Sequence, residues 1–250
     1  LNTPMALPRG FFINATSQVW ITDGRYGSSG YTFTGDFNGD GFADIASAHY
    51  GTFYMKLNNH RKGFINANWN VDNAWGGSDY TLVGDFTGDG KSDIASAYYS
   101  LMYMKISRGN AFSSQTWSTD GQYGGGDYTY AGDYNGDGKD DIISLYYGTI
   151  FIKESTGTRF ISKSHTTSNN WGSSAFTWMA DTDTDGKDEI ITAIDNVILK
   201  REWISGQSWS LESLLTPRNW GGEGYNFSMD YTGDGSDEIV SAIGGRLFAH

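Results

Sequence analysis

The sequence predicts an all-β fold: a five-bladed β-propeller of four-stranded antiparallel blades, forming one domain over residues 1–250. Three observations predict it. A nine-residue acidic motif occurs five times, with starting positions that step by 49, 48, 48 and 49 residues. The segments flanking the motif repeat with it, and each unit of about 48–49 residues has room for four short strands. The two ends of the chain also complement each other, which predicts a ring closed by its own amino terminus.

Each unit opens on an extended aromatic segment, strand a: YTFTG at 31–35, YTLVG at 80–84, YTYAG at 128–132, FTWMA at 176–180 and YNFSM at 225–229. The acidic loop follows, as DFNGDGFAD at 36–44, DFTGDGKSD at 85–93, DYNGDGKDD at 133–141, DTDTDGKDE at 181–189 and DYTGDGSDE at 230–238. Strand b is small and apolar, as in DIASAHY and DIASAYY, so neighbouring sheets could approach closely over Ala46, Ser47 and Ala48. In strand c, TFYMKLN at 52–58, a period of two puts Phe53, Met55 and Leu57 on one face. Strand d ends near Trp69 or Trp117, and a linker leads to the next unit. The last unit stops after Arg246–His250, which aligns with strand c. The first 20 residues carry GFFINATSQVW, ending at Trp20 where other units have strand d. The amino terminus is therefore expected to supply the outer strand of the last blade.

Composition narrows the function classes. Hydrophobic residues make up 38% and aromatics 16%, too apolar for a disordered chain, and no run approaches the roughly 18 apolar residues of a membrane span. The charge of -12 argues against a nucleic-acid partner, which calls for clustered Lys and Arg; Arg61-Lys62 is an isolated pair. Cysteine is absent, and the four histidines form neither a metal-spaced pair nor a nucleophile motif, so no enzyme is expected. The start Leu-Asn-Thr-Pro reads as a processed, secreted or extracellular protein or an excised domain.

The acidic loop points to a cation. Oxygen-bearing side chains at loop positions 1, 3, 5 and 9, with glycine at 6, turn donors inward around one point, much as in helix–loop–helix calcium sites. The first set is Asp36, Asn38, Asp40 and Asp44 with the backbone carbonyl of Phe42. A turn alone needs one or two such residues, and carboxylates packed together need a counter-ion. Calcium is favoured over magnesium because the donors are all oxygen, numerous and partly carbonyl. The five sets hold sixteen carboxylates, so calcium in up to five sites would offset much of the chain's acidity. Position 3 is threonine in the second and fifth loops, which should weaken them or leave water to complete them. The fourth loop carries the most charge.

These loops and spacings resemble the FG-GAP/VCBS repeats, calcium-loop propeller blades of integrin heads, lectins and proteins with toxin or hydrolase domains. The resemblance implies calcium ligation at positions 1, 3, 5 and 9 and through the carbonyl at 7 in every copy. It extends the first set to Asp85, Thr87, Asp89, Lys91 and Asp93; to Asp133, Asn135, Asp137, Lys139 and Asp141; to Asp181, Asp183, Asp185, Lys187 and Glu189; and to Asp230, Thr232, Asp234, Ser236 and Glu238. It says little about the partner.

Antiparallel connectivity puts the acidic loops at one end of each unit, and the b–c turns and linkers at the other. The linkers read WITDGRYG at 20–27, WNVDNAWG at 69–76 and WSTDGQYG at 117–124; the turns read HYG, YYS and YYG. Aromatic rings, freed backbone and a carboxylate suit a sugar: the rings stack on C–H faces and Asp accepts hydroxyl hydrogen bonds. The candidates are Tyr50, Asp72, Trp75, Tyr99, Asp120, Tyr123, Asp23 and Tyr26, while Trp69 and Trp117 read as packing residues. Linkers four and five drop the Asp but keep Trp171 and Trp220. The expected function is a calcium-stabilised carbohydrate-binding lectin or targeting module, its partners glycans or a cell-surface protein. The alternative is a protein-interaction or receptor-binding module of a larger secreted protein or toxin.

Overall fold

The computed structural model describes residues 19–249 apart from 28, 61, 169–170, 172–173, 195–196, 205–207, 216–225, 231, 233 and 244–245. The first sheet comprises β1 (Thr32–Gly35), β2 (Asp44–His49), β3 (Thr52–Asn58) and β4 (Phe64–Asn70). The second comprises β5 (Thr81–Gly84), β6 (Asp93–Tyr98), β7 (Leu101–Ser107) and β8 (Phe112–Ser118). The third comprises β9 (Thr129–Gly132), β10 (Asp141–Tyr146), β11 (Thr149–Ser155) and β12 (Phe160–Thr166). The fourth holds β13 (Thr177–Ala180), β14 (Glu189–Ile194), β15 (Val197–Arg201) and β18 (Glu212–Leu215), with a small hairpin, β16 (Trp203–Ile204) and β17 (Ser208–Trp209), inserted before its outer strand. The fifth holds β19 (Asn226–Met229), β20 (Glu238–Ile243) and β21 (Arg246–Ala249). Every described pairing is antiparallel between neighbours in sequence or, for β15 and β18, across the inserted hairpin.

The closed five-bladed propeller is not what the structure shows. The described strands form six separate sheets, four of four strands, one of three and one of two, and none curls into a closed figure. The innermost strands β1, β5, β9, β13 and β19 touch in that order, but no comparable contact returns from β19 to β1 among the described residues. Of the segment expected to close the ring, 10–20, all but Val19 and Trp20 lies outside the described residues. The expectation counted strands, and a strand count carries no information about the angle between one sheet and the next. Closure depends on the sum of those angles.

The core lies between sheets. Phe112, at the start of β8, packs within 4.8 Å of Phe53 and 4.9 Å of Trp69 in the first sheet, measured between ring centroids. Phe160, at the start of β12, does the same against Phe86 and Trp117 of the second. In the fourth unit the inserted hairpin takes over, placing Trp203 and Trp209 against Tyr134 of the third sheet. Each such ring contributes roughly 1.5–3 kcal/mol by leaving water. Trp69 and Trp117 are buried in these clusters.

Linker glycines let the chain press against strand b of the unit it enters. The Gly76 N–H donates to Ser96 Oγ at 2.8 Å, and a Cβ at Gly76 would stand 1.8 Å from the Ala97 carbonyl oxygen. Gly27 and Gly124 repeat the arrangement on Ser47 and Ser144. Gly76→Ala is expected to cost on the order of 3 kcal/mol, because backbone on both sides must give way. Urea unfolding would check this against Gly90→Ala, where φ is +80° but the added atom meets open space.

Candidate functional site

At one end of the sheets, each acidic loop is organised around its first carboxylate. Asp36 accepts hydrogen bonds from the N–H groups of Gly39, Asp40 and Gly41, and Asp85 and Asp133 accept the equivalent three. The ninth residue opens strand b and reaches across to the third strand: Asp44, Asp93 and Asp141 accept from the N–H groups of Asn58, Ser107 and Ser155. Without a cation, burial pushes Asp44 up to about 6, Asp93 to about 7 and Asp141 to about 9, outweighing those hydrogen bonds. Lys91 and Lys139, at position 7, turn their ammonium groups onto Asp89 and Asp137 at position 5.

The loops also lean on one another. The Ser92 N–H donates to the Asp36 carbonyl at 2.8 Å, Asp140 to Asp85 at 3.0 Å, Asp188 to Asp133 at 2.8 Å and Asp237 to Asp181 at 2.7 Å. Thus the eighth residue of each later loop fixes the first residue of the loop before it.

The fourth loop brings Asp181, Asp183, Asp185 and Glu189 together, with ligand oxygens all within 4.8 Å of one another; it alone converges three or more acidic groups among the described residues. Glu189 is fully buried; its Oε2 accepts from Thr182, and its Oε1 has no partner. A buried carboxylate oxygen left without a donor is costly, so the donor set fits a divalent ion. In the other loops Asn38, Asn135, Thr87 and Thr232 supply neutral oxygens at position 3. In the fifth loop, Thr232 donates to Asp230 at 3.5 Å and to Glu238 at 3.3 Å, while Asp234 accepts from Ser236 N–H.

At the opposite end, the linkers are fastened by buried cations on the third strand. Lys56 pairs with Asp23 at 2.7 Å, Lys153 with Asp120 at 2.7 Å, and Lys105 with Asp72. The same three lysines lie over the rings of Tyr26, Tyr123 and Trp75, about 5 Å from the centroids. In the fourth unit Arg201 takes this place beneath Trp171 and donates to Ser168. Burial is the largest single influence and raises Asp72 and Asp120, but the hydrogen bond from lysine, the lysine charge, the Ala74 or Gln122 N–H and the Ser114 or Ser162 hydroxyl together hold both below the usual carboxylate range. Asp23 is lowered chiefly by its hydrogen bond from Lys56. Sequence reasoning missed these lysines, although Lys56, Lys105 and Lys153 recur at one place in strand c.

Beyond the clamps stand the turns joining the second and third strands. Tyr50, Tyr99 and Tyr147 are 74%, 76% and 67% exposed, so the fold leaves them to solvent. All three hold left-handed backbone, with φ of 51°, 52° and 47°, which is uncommon for a bulky residue and marks stored strain. Each ring meets its neighbour, His49, Tyr98 or Tyr146, edge to face at 4.7–4.8 Å. A cleft of about 330 Å³ opens beside the first turn, lined by Tyr31, Ala48, His49, Tyr50, Asn73 and Trp75. The structure therefore brings Tyr50 and Trp75 together, while Asp72 is engaged with Lys105. Tyr123 packs on Tyr80 and over Lys153, and Tyr99 stays at its turn tip. Trp220 lies outside the described residues.

The FG-GAP-like repeat profile matches residues 36–96, 85–144 and 133–192. Among the solved structures that resemble the chain in fold are two that cover most of it. One is an Agrocybe aegerita lectin that recognises non-reducing terminal N-acetylglucosamine: TM-score 0.64, 18% identity, covering 87% of this chain and 62% of that one. The other is the Tc holotoxin pore of Photorhabdus luminescens: TM-score 0.64, 15% identity, covering 86% of this chain and 11% of that one. The chain thus spans less than two thirds of either. No curated protein matches it by sequence.

Asp72→Ala would leave Lys105 buried without its carboxylate, and is expected to cost about 3 kcal/mol, the low end for a broken buried pair because Asp72 is half exposed. Lys105→Met in the same chain should recover part of that loss, as a double-mutant cycle on urea unfolding would read. The pH dependence has a definite sign. Asp72 and Asp120 have folded pKa values below 3.8, so their contribution is present above 3.8 and lost as pH falls through the lower folded values. Asp72→Asn with Asp120→Asn should flatten that acid limb in melts recorded between pH 5 and pH 2.

Proposed function

The chain belongs to the FG-GAP-like repeat family, and from that premise we propose that it is a non-enzymatic recognition module of a longer extracellular protein. The observation that carries this reading is the set of three equivalent turns, each presenting an exposed aromatic pair on strained backbone. The positive φ serves the two-residue hairpin turn between the paired strands. That turn does not call for an exposed ring, however, and clustered tyrosines favour protein interfaces because they offer large rigid rings at low entropic cost. The partner in this reading is a cell-surface protein, and the buried lysine clamps behind the turns hold the tips in a fixed relation to the sheets.

A second reading, sugar recognition, has one observation of its own. The cleft beside Tyr50 combines the Tyr31 and Trp75 rings with the polar edges of His49 and Asn73, which suits a single pyranose more than a broad protein surface. The Agrocybe lectin shares the fold alone and lends this reading no residue-level support. Under either reading calcium is the cation of the acidic loops, in up to five copies, and its task is to hold the loop end together.

Binding to intact cells tests the two readings together. Tyr50→Ser with Tyr99→Ser and Tyr147→Ser should lower apparent affinity at least tenfold without moving the melting temperature, since each lost anchor is worth on the order of 1–2 kcal/mol. Protease treatment of the cells should abolish binding under the first reading. Sensitivity to glycosidase alone, with a response on a glycan array, would transfer the proposal to the second. Calcium added to chelator-stripped protein should raise the melting temperature, by about 2.7 kcal/mol of stability at a hundredfold excess over Kd for one site. Equal melting in calcium and chelator would remove the cation from the account.

A further inference from the structure

We propose that Lys200 is a built-in competitor for the cation of the fourth acidic loop, so that an ion entering this loop must displace an ammonium group. The proposal rests on reading that loop as a divalent-cation site, for which the unpartnered, buried Glu189 Oε1 is the independent sign. Lys200 Nζ lies 2.6 Å from Asp183 Oδ2 and 3.3 Å from Glu189 Oε2, bridging two of the four acidic groups.

Ladder register makes Lys200 singular. In the first three sheets the matching position is Met55, Met104 and Ile152, opposite Ala46, Ala95 and Ile143, just as Lys200 stands opposite Ile191. Those three side chains are buried core. Only in the fourth sheet does a cation stand at this register, and there it serves the loop with the most acidic residues. The clamp position is held separately by Arg201, opposite Ile190.

The displaced ammonium has somewhere to go. Glu212 stands opposite Lys200 in the β15–β18 ladder, and both line a cleft of about 270 Å³ with Thr182, Ile198, Leu214 and Ile239. Lys200 therefore has two carboxylate partners, the loop pair when no ion is present and Glu212 when one enters. Cation occupancy of the fourth loop is thereby linked to the charge in the cleft between the fourth and fifth sheets. It also lets the fourth loop stay folded in the absence of metal, with a weaker affinity than four acidic ligands would otherwise provide.

Lys200→Met tests this on the full chain, because methionine is what the first two sheets carry at this register. Calcium titration of chelator-stripped protein by calorimetry would identify the fourth-loop event as the one lost in Glu189→Gln. Lys200→Met should tighten that event at least tenfold, because removing a positive charge a few ångströms from a divalent ion is worth roughly that much even at the dielectric of water. It should also lower the metal-free melting temperature while leaving the calcium-saturated one unchanged. Unchanged or weaker affinity in Lys200→Met, with the event present in the wild type, would overturn the competition and leave the site standing. Absence of any Glu189-dependent event in both proteins would remove the site and the competition together. Should Lys200→Met fail to fold, Lys200→Gln carries the same expectation.

Discussion

An ammonium group buried beneath a linker is costly unless a carboxylate and hydrogen-bond acceptors surround it, and this protein meets that condition in each of its first three repeats. Lys56, Lys105 and Lys153 leave water almost completely, and the partner that neutralises each comes from the segment leading into the sheet. The aromatic ring over each ammonium and the carbonyls of Ala74 and Gln122 complete the shell. Because the pair is fixed in place by the strand register, the linker cannot slide, and the glycine a few residues later is delivered against strand b. The exposed turns are positioned as a result. The acidic loops, at the far end, are free of this constraint and solve a separate problem, the concentration of negative charge.

The two ends divide the labour of a repeat in a way that explains their sequences. At the loop end the buried ninth-position carboxylates Asp44, Asp93 and Asp141 are pushed toward protonation. Carboxylates at the linker end are paired and held ionised. The same residue type thus has opposite titration behaviour within one unit. Where the linker Asp is missing, in the fourth unit, the lysine is missing too: Arg201 and Ser168 replace the pair, and guanidinium stacking on Trp171 takes over part of the stabilisation.

Much of this was legible in the chain. The period of the acidic motif located every loop, and the alternation of Phe53, Met55 and Leu57 placed the inner face of a strand that the structure pairs as read. Ring closure was not legible, because it depends on angles between sheets. The hairpin Trp203–Trp209 was also missed, since nothing in a period of 48 reveals that one unit exchanges its inserted phenylalanine for two tryptophans. The clamp position was legible in the spacing, since Arg201 follows its motif start by the same interval as Lys56, Lys105 and Lys153, whereas the reach of Lys200 to the fourth loop was not. The Asp residues of the linkers look like ligand-binding groups for the same reason that they are good clamps. A short acid beside an aromatic ring serves a sugar hydroxyl and an ammonium group equally well.

Successive acidic loops exchange hydrogen bonds: each later loop donates to the carbonyl of the first aspartate before it, and the N–H groups of Asp85 and Asp133 donate in return to Asp140 and Asp188. The first aspartate of each of the first four loops has its carbonyl held by a residue that lies 55 or 56 positions later in the chain. During synthesis, an emerging repeat therefore cannot finish its own loop until its successor has left the ribosome, and order passes backward along the nascent chain. Such an array has no unit that is complete in isolation. A boundary drawn between two repeats leaves the preceding loop short of a donor, and ahead of the third or fourth repeat it also takes from Asp140 or Asp188 the N–H that its carboxylate accepts.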